Sequence, residues 1–119
     1  MGFGFEKLEV YHKAIDFVSD IYILTKKFPK DEIFGLTGQL RRAAVSISLN
    51  ISEGSARSKK DFSRFIDMAR GSVFECVTVL LISLKQSYLD QKEYVDLKSK
   101  LTDLSKMLSG LKRSINSEL

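Results

Sequence analysis

The sequence predicts an all-α fold, an antiparallel up-down-up-down bundle of four helices in one domain of 119 residues. Three observations carry that expectation. Apolar residues recur at steps of three and four in four separate segments, the period of an amphipathic helix. The breaks between the segments are short and hold stopping or capping residues. No segment makes a convincing strand.

The first helix is expected over residues 8–28, where Val10, Ala14, Phe17, Ile21, Leu24 and Phe28 fall on one stripe and Pro29 ends it. The second is expected over 32–56, with Asp31 as a cap and a stripe of Ile33, Leu36, Leu40, Ala43, Ile47 and Ile51. Gly35 and Gly38 leave its first turns irregular. Ser58 with Asp61 resembles a capping box and opens the third helix, 59–88. Its core positions are Phe62, Phe65 or Ile66, Ala69, Val73, Cys76 or Val77, Leu80 and Leu84. Asp90 and Glu93 form a second reciprocal cap for the fourth helix, 91–116, whose Tyr94, Leu97, Leu101, Leu104, Leu108, Leu111 and Ile115 make the cleanest heptad. Helices of about 20 residues, each roughly 30 Å long, joined by short connections, favour antiparallel neighbours.

A hairpin of the second and third helices sets Glu53 opposite Phe62, Asn50 opposite Phe65, Ser46 opposite Ala69 and Ala44 opposite Gly71. Small residues then face small residues, and Arg41 or Arg42 comes within reach of Glu75 for a salt bridge. Val45 and Leu49 on the second helix, and Val79, Leu81 and Ile82 on the third, lie off the core stripes. If exposed they form an apolar patch that a monomer rarely carries, which points to self-association; a wider core within one protomer is the alternative.

Composition bounds the function. The chain is 44% hydrophobic and 29% charged, with a single Pro, near the average for globular domains. Its longest nearly unbroken apolar run, from Val77 to Leu84, is far short of the roughly 20 residues a membrane span needs. The N-terminal segment lacks a signal-peptide pattern, and Glu6 replaces the hydroxyl residue of a myristoylation signal, so a cytoplasmic location is expected. Cys76 is the only cysteine, excluding an intrachain disulfide, and its apolar neighbours predict a buried, inert thiol.

The net charge of +4 is unevenly spread. Between Leu36 and Glu75, seven basic residues face four acidic ones, and the same ratio holds from Lys85 to Arg113. Arg57, Lys59, Lys60 and Arg64 gather around the turn between the second and third helices, with Arg41 and Arg42 further down the second. Convergent cations of this kind suit a phosphate backbone, and repetition in an oligomer would multiply the field. The competing reading is a solvated, charge-rich edge diluted by Asp61 and Asp67. Phe62 and Phe65 fit the core better than a base-stacking platform.

The central segment also resembles the four-helix bundle family named for intervening sequences of 23S ribosomal RNA. The resemblance rests on Leu40, Arg41, Arg42, Ala43, Ala44, Ser46, Ile47, Asn50, Ile51, Glu53, Gly54, Arg57, Phe62, Phe65, Ala69, Gly71, Ser72 and Glu75. It extends to Leu8, Val10, Tyr11, Ala14 and the Phe28 to Pro29 break. It implies a left-twisting protomer in a ring-like homopentamer around a basic channel. A related branch, the accessory variability determinant proteins of diversity-generating retroelements, implies RNA or DNA and a reverse transcriptase as partners.

Ser46, Asn50, Glu53, Gly54, Gly71, Ser72 and Glu75 are expected to form a structural polar motif that fixes helix register or a subunit contact. Glu53 as a general base lacks a partner nucleophile, since Ser46 has no nearby histidine to activate it. Glu9 and His12 have the Glu-x-x-His spacing of di-iron bundles, yet His12 is the sole histidine, which also excludes a Ser-His-Asp triad. No glycine pair is followed by the Lys-Ser or Lys-Thr of a phosphate loop. The expectation is therefore a non-enzymatic, cofactor-free and metal-free oligomer, either an accessory nucleic-acid-binding or ribonucleoprotein module or a protein-interaction scaffold.

Overall fold

In a computed structural model that describes residues 2–119, four α-helices account for most of the chain. They are α1 (Glu9–Thr25), α2 (Leu36–Ser55), α3 (Lys59–Lys85) and α4 (Gln91–Asn116), with short 3-10 turns at Gly4–Lys7 and Lys30–Glu32. The described residues contain no strand, and none of their helices is long and apolar enough to cross a membrane.

The caps follow local chemistry. Ser58 Oγ accepts the Asp61 N–H at 3.2 Å to start α3. At α4 the box is reciprocal: Asp90 Oδ1 accepts Glu93 N–H at 2.8 Å, and Glu93 Oε1 accepts Asp90 N–H at 3.0 Å. Between α3 and α4 the chain reverses through Ser87, whose φ of 65° is left-handed. There the Tyr88 N–H donates to the Ser83 carbonyl at 3.0 Å and closes the end of α3.

The α1–α2 corner departs from the expected helix limits. Helix α1 ends at Thr25, and Pro29 heads the 3-10 turn, where its φ of −54° fits. Asp31 does not cap α2; the residue before α2 is Gly35, and Glu32 Oε1 accepts the Leu36 N–H at 3.2 Å. A Cβ at Gly38 would lie 2.6 Å from the Ile33 carbonyl oxygen, so glycine there permits the corner to fold back on the helix. Ile33 is consequently off the helix and 45% exposed, not a core position.

One core runs the length of the molecule. Phe17, Ile21, Leu40, Ile47, Ile51, Ile66, Leu80, Leu101, Leu104 and Leu108 are fully buried, drawn from all four helices at the spacing of their stripes. Helix α2 packs most extensively on α3, α3 packs on α4, and α1 packs on α2 and more loosely on α4. Cross-helix pairs define three seams: Gly54 against Phe62 and Phe65, with Ser46 at Ser72; Asp67 at Lys112, with Lys59 at Glu118; and Asp20 at Lys100, with Lys27 at Glu93. In each seam the residue numbers rise along one helix as they fall along the other. Tyr88 O–H donates to Glu32 Oε2 at 2.9 Å and ties the α3–α4 turn to the α1–α2 corner, while the α2–α3 turn lies at the opposite end with Glu118.

The α2–α3 register differs from the sequence expectation by about one helical turn. Ser46 meets Ser72 where Ala69 was expected. Gly71 is not a close-approach residue, since a Cβ built there would meet nothing within 4 Å. The tight contact falls at Gly54, where a Cβ would lie 2.5 Å from Phe65 Cβ.

Candidate functional site

Helix α2 stops at Ser55, and the Arg57 N–H donates to the Gly54 carbonyl at 3.0 Å before Ser58 caps α3. This tight connection brings four cations to one end of the bundle. Arg57 Nη2 donates to Glu53 Oε1 at 3.2 Å while its guanidinium lies over the Phe65 ring, 5.0 Å from the centroid. The bare Gly54 lets Phe65 sit close enough to α2 for that stacking. Lys59 Nζ pairs with Glu118 at 2.6 Å, and Arg64 with Asp61 at 3.6 Å. Lys60 is exposed and forms no salt bridge among the described residues. About half or more of each paired cation is open to solvent, at 48% for Arg57, 56% for Lys59 and 70% for Arg64. Such exposed pairs contribute about 0–1 kcal/mol, so the carboxylates hold these cations only weakly.

The structure separates Arg41 and Arg42 from this cluster. Arg41 is half-buried against α1, its Nε donating to Thr25 Oγ1 at 2.9 Å and its guanidinium 4.4 Å from the centre of the Tyr22 ring. Arg42 is exposed. Neither forms a salt bridge with Glu75. The expected bridge fails at Arg41 because its side chain projects towards α1.

The polar motif likewise divides. Asn50 Nδ2 donates to the Ser46 carbonyl at 2.9 Å and lies 3.1 Å from Ser46 Oγ, which is 2.9 Å from Ser72 Oγ. These three side chains form a polar link across α2 and α3. Glu53 is exposed and serves Arg57, and Gly71 and Glu75 are exposed.

Among the proposed interface residues, Val79 is only 3% exposed and belongs to the core. Helix α3 packs on both α2 and α4, so its buried stripe is wide enough to take in Val79. Leu49, Leu81 and Ile82 are exposed, at 58%, 42% and 43%, and Val45 is partly buried. Sequence reasoning missed Phe74, 57% exposed, which shares the outward face of α3 with Thr78, Leu81 and Ile82. Its spacing of four, seven and eight residues from those positions was the available signal.

His12 Nε2 contacts the Glu6 carbonyl oxygen at 2.6 Å, and Glu9 makes a 4.0 Å contact with Lys13. Among the described residues no three His, Cys, Asp or Glu side chains group as metal ligands. Burial pushes the Cys76 thiol up to about 12, and the nearby Glu75 charge adds to the effect.

Residues 6–110 match the family described as 23S rRNA-intervening sequence protein. The chain belongs to this family. A solved structure, described as a protein of unknown function from the S23 ribosomal protein family of Bacteroides thetaiotaomicron VPI-5482, superposes with a TM-score of 0.80 at 24% identity. It covers 87% of this chain and 97% of its own, and at that identity it speaks to the fold. No curated protein matches this member of the 23S rRNA-intervening sequence family.

Proposed function

We propose that this family member is a non-enzymatic, self-assembling, up-down-up-down helical bundle that works in the cytoplasm and contacts nucleic acid through its α2–α3 turns. The observation that carries the reading is the joint exposure of an apolar outward face, Phe74, Leu81 and Ile82, and of a turn bearing Arg57, Lys59, Lys60 and Arg64. Covering the apolar face with further copies would repeat the cationic turn around the assembly, and a weak single-copy contact would become a strong summed one. A ring-like homopentamer is the assembly we infer from the family resemblance. The opposed numbering along three helix seams supports the topology. A reverse transcriptase or other nucleic-acid enzyme is the protein partner such an assembly would serve.

Fluorescence anisotropy with RNA and with duplex DNA over a salt series tests this reading. Binding should weaken steeply with salt, with a slope of about 0.7–0.9 per phosphate neutralised, and should collapse in the Arg57→Glu, Lys59→Glu, Lys60→Glu, Arg64→Glu variant. A second reading, an oligomeric protein scaffold, is favoured by the carboxylate partners that Arg57, Lys59 and Arg64 already hold. It predicts an intact oligomer that binds neither polymer at low salt.

A further inference from the structure

A second cationic feature lies at the other end of α2, in a pocket of about 310 Å³ where the α1–α2 corner meets the first turn of that helix. Lys26, Lys30 and Arg41 line it, and no acidic residue does. Among the described residues none of the three forms a salt bridge, in contrast to Lys27, which pairs with Glu93. Thr37 also lines the pocket; it is 3% exposed, and its Oγ1 has no hydrogen-bond partner among the described residues. A buried hydroxyl left without a partner is unusual and unfavourable, which marks it as waiting for a group that it can bond.

The backbone adds to the same demand. Helix α2 has no side-chain cap at Gly35 and no acidic residue in its first turn, although that end of a helix favours negative charge. Of the first amides of α2 Glu32 takes the Leu36 N–H alone, its other oxygen accepting the Tyr88 hydroxyl, and the Thr37 and Gly38 amides precede the first residue with a partner four positions back, Gln39. Arg41 is held in place by its Nε bond to Thr25 and its seat over Tyr22, which leaves the terminal nitrogens of the guanidinium to meet an oxyanion.

We propose that this pocket binds a phosphate group, with Arg41, Lys26 and Lys30 supplying charge and the Thr37 hydroxyl and the first amides of α2 supplying neutral donors. The α2–α3 turn is about 20 residues away along α2, or roughly 30 Å, so the two sites are separate and this inference does not rest on nucleic-acid contact at the turn. The phosphate belongs either to a small molecule or to the end of a nucleic acid strand, which present the same chemistry.

Amide-resolved NMR on the full chain tests the proposal, with inorganic phosphate titrated against chloride at matched ionic strength. Phosphate should shift the Thr37 and Gly38 amides saturably and in preference to chloride. Thr37→Val, which keeps the shape and removes the unpartnered hydroxyl, should fold and weaken binding by about tenfold. The double variant Lys26→Gln, Lys30→Gln should weaken it further while leaving the Thr25 and Tyr22 contacts of Arg41 intact. In a second arm, an oligonucleotide carrying a 5′-phosphate is compared with its 5′-hydroxyl twin. Shifts that need the 5′-phosphate identify a strand end, and shifts with inorganic phosphate but neither oligonucleotide identify a small molecule; both support the pocket. Absence of saturable shifts at Thr37 and Gly38 overturns the proposal, as does equal phosphate affinity in Thr37→Val.

Discussion

Replacing Gly54 with alanine probes the close approach of α2 to α3. The added Cβ would lie 2.5 Å from Phe65 Cβ, 3.0 Å from Phe62 Cδ1 and 3.1 Å from Phe65 Cγ. Carbon atoms rest at about 3.5–4.0 Å, so the gap must open by roughly 1 Å. Phe65 Cβ is fixed to the backbone of α3, and no side-chain rotation moves it away; the helices themselves must part. Overpacking of this kind costs about 1–3 kcal/mol, against which alanine recovers about 1 kcal/mol of helix propensity. Because Phe65 Cβ cannot rotate away, the cost lies in the upper part of that range, about 2–3 kcal/mol, and the expected result is a net loss of about 1–2 kcal/mol. Gly110→Ala is the control, because its Cβ would meet nothing nearer than Arg113 Nη2 at 3.8 Å, and it should gain up to about 1 kcal/mol. Urea unfolding of the two variants and the parent at one fixed protein concentration gives both values. A Gly54→Ala protein as stable as the parent would show that the α2–α3 approach is not limited by this contact, and the register assigned to that seam would fall with it.

Further outcomes follow from other sites. Ser87→Gly should stabilise the fold by up to about 1 kcal/mol in the same urea assay, because a φ of 65° strains a residue with a Cβ; an unchanged midpoint would count against it. Leu108→Ala, at a position with 0% exposure, should lose about 2–5 kcal/mol. Cys76 should resist thiol reagents in the native state. Its folded value of about 12 lies above its ordinary 9.0, so above pH 9 the unfolded chain gives up the proton and the native chain keeps it. Stability should therefore be full below the unfolded value and fall as pH rises towards the folded one, and Cys76→Val should flatten that part of the curve.

The helices were legible because their signals are local. The Asp90 and Glu93 box is built as its spacing suggests, and the α4 stripe from Tyr94 to Ile115 is buried apart from a half-buried Leu111. Ile33 was misread because its fit to a helical stripe is undone by Gly35, where the backbone turns. Val79 was misread because a stripe drawn for one seam ignores that α3 packs on two helices. The destination of Arg41 was hidden, since the choice between Glu75 on α3 and Thr25 with Tyr22 on α1 depends on the rotation of α2. The unpartnered Thr37 hydroxyl is invisible to any pattern, because it exists only once the corner has folded over the helix.

Sedimentation equilibrium at micromolar concentration tests most directly whether the outward face of α3 joins copies of the chain. The account predicts a defined multiple of the 13.5 kDa chain mass, reduced to a single chain by Phe74→Glu together with Leu81→Glu without loss of helical signal. A well-behaved parent protein at the mass of one subunit would contradict it.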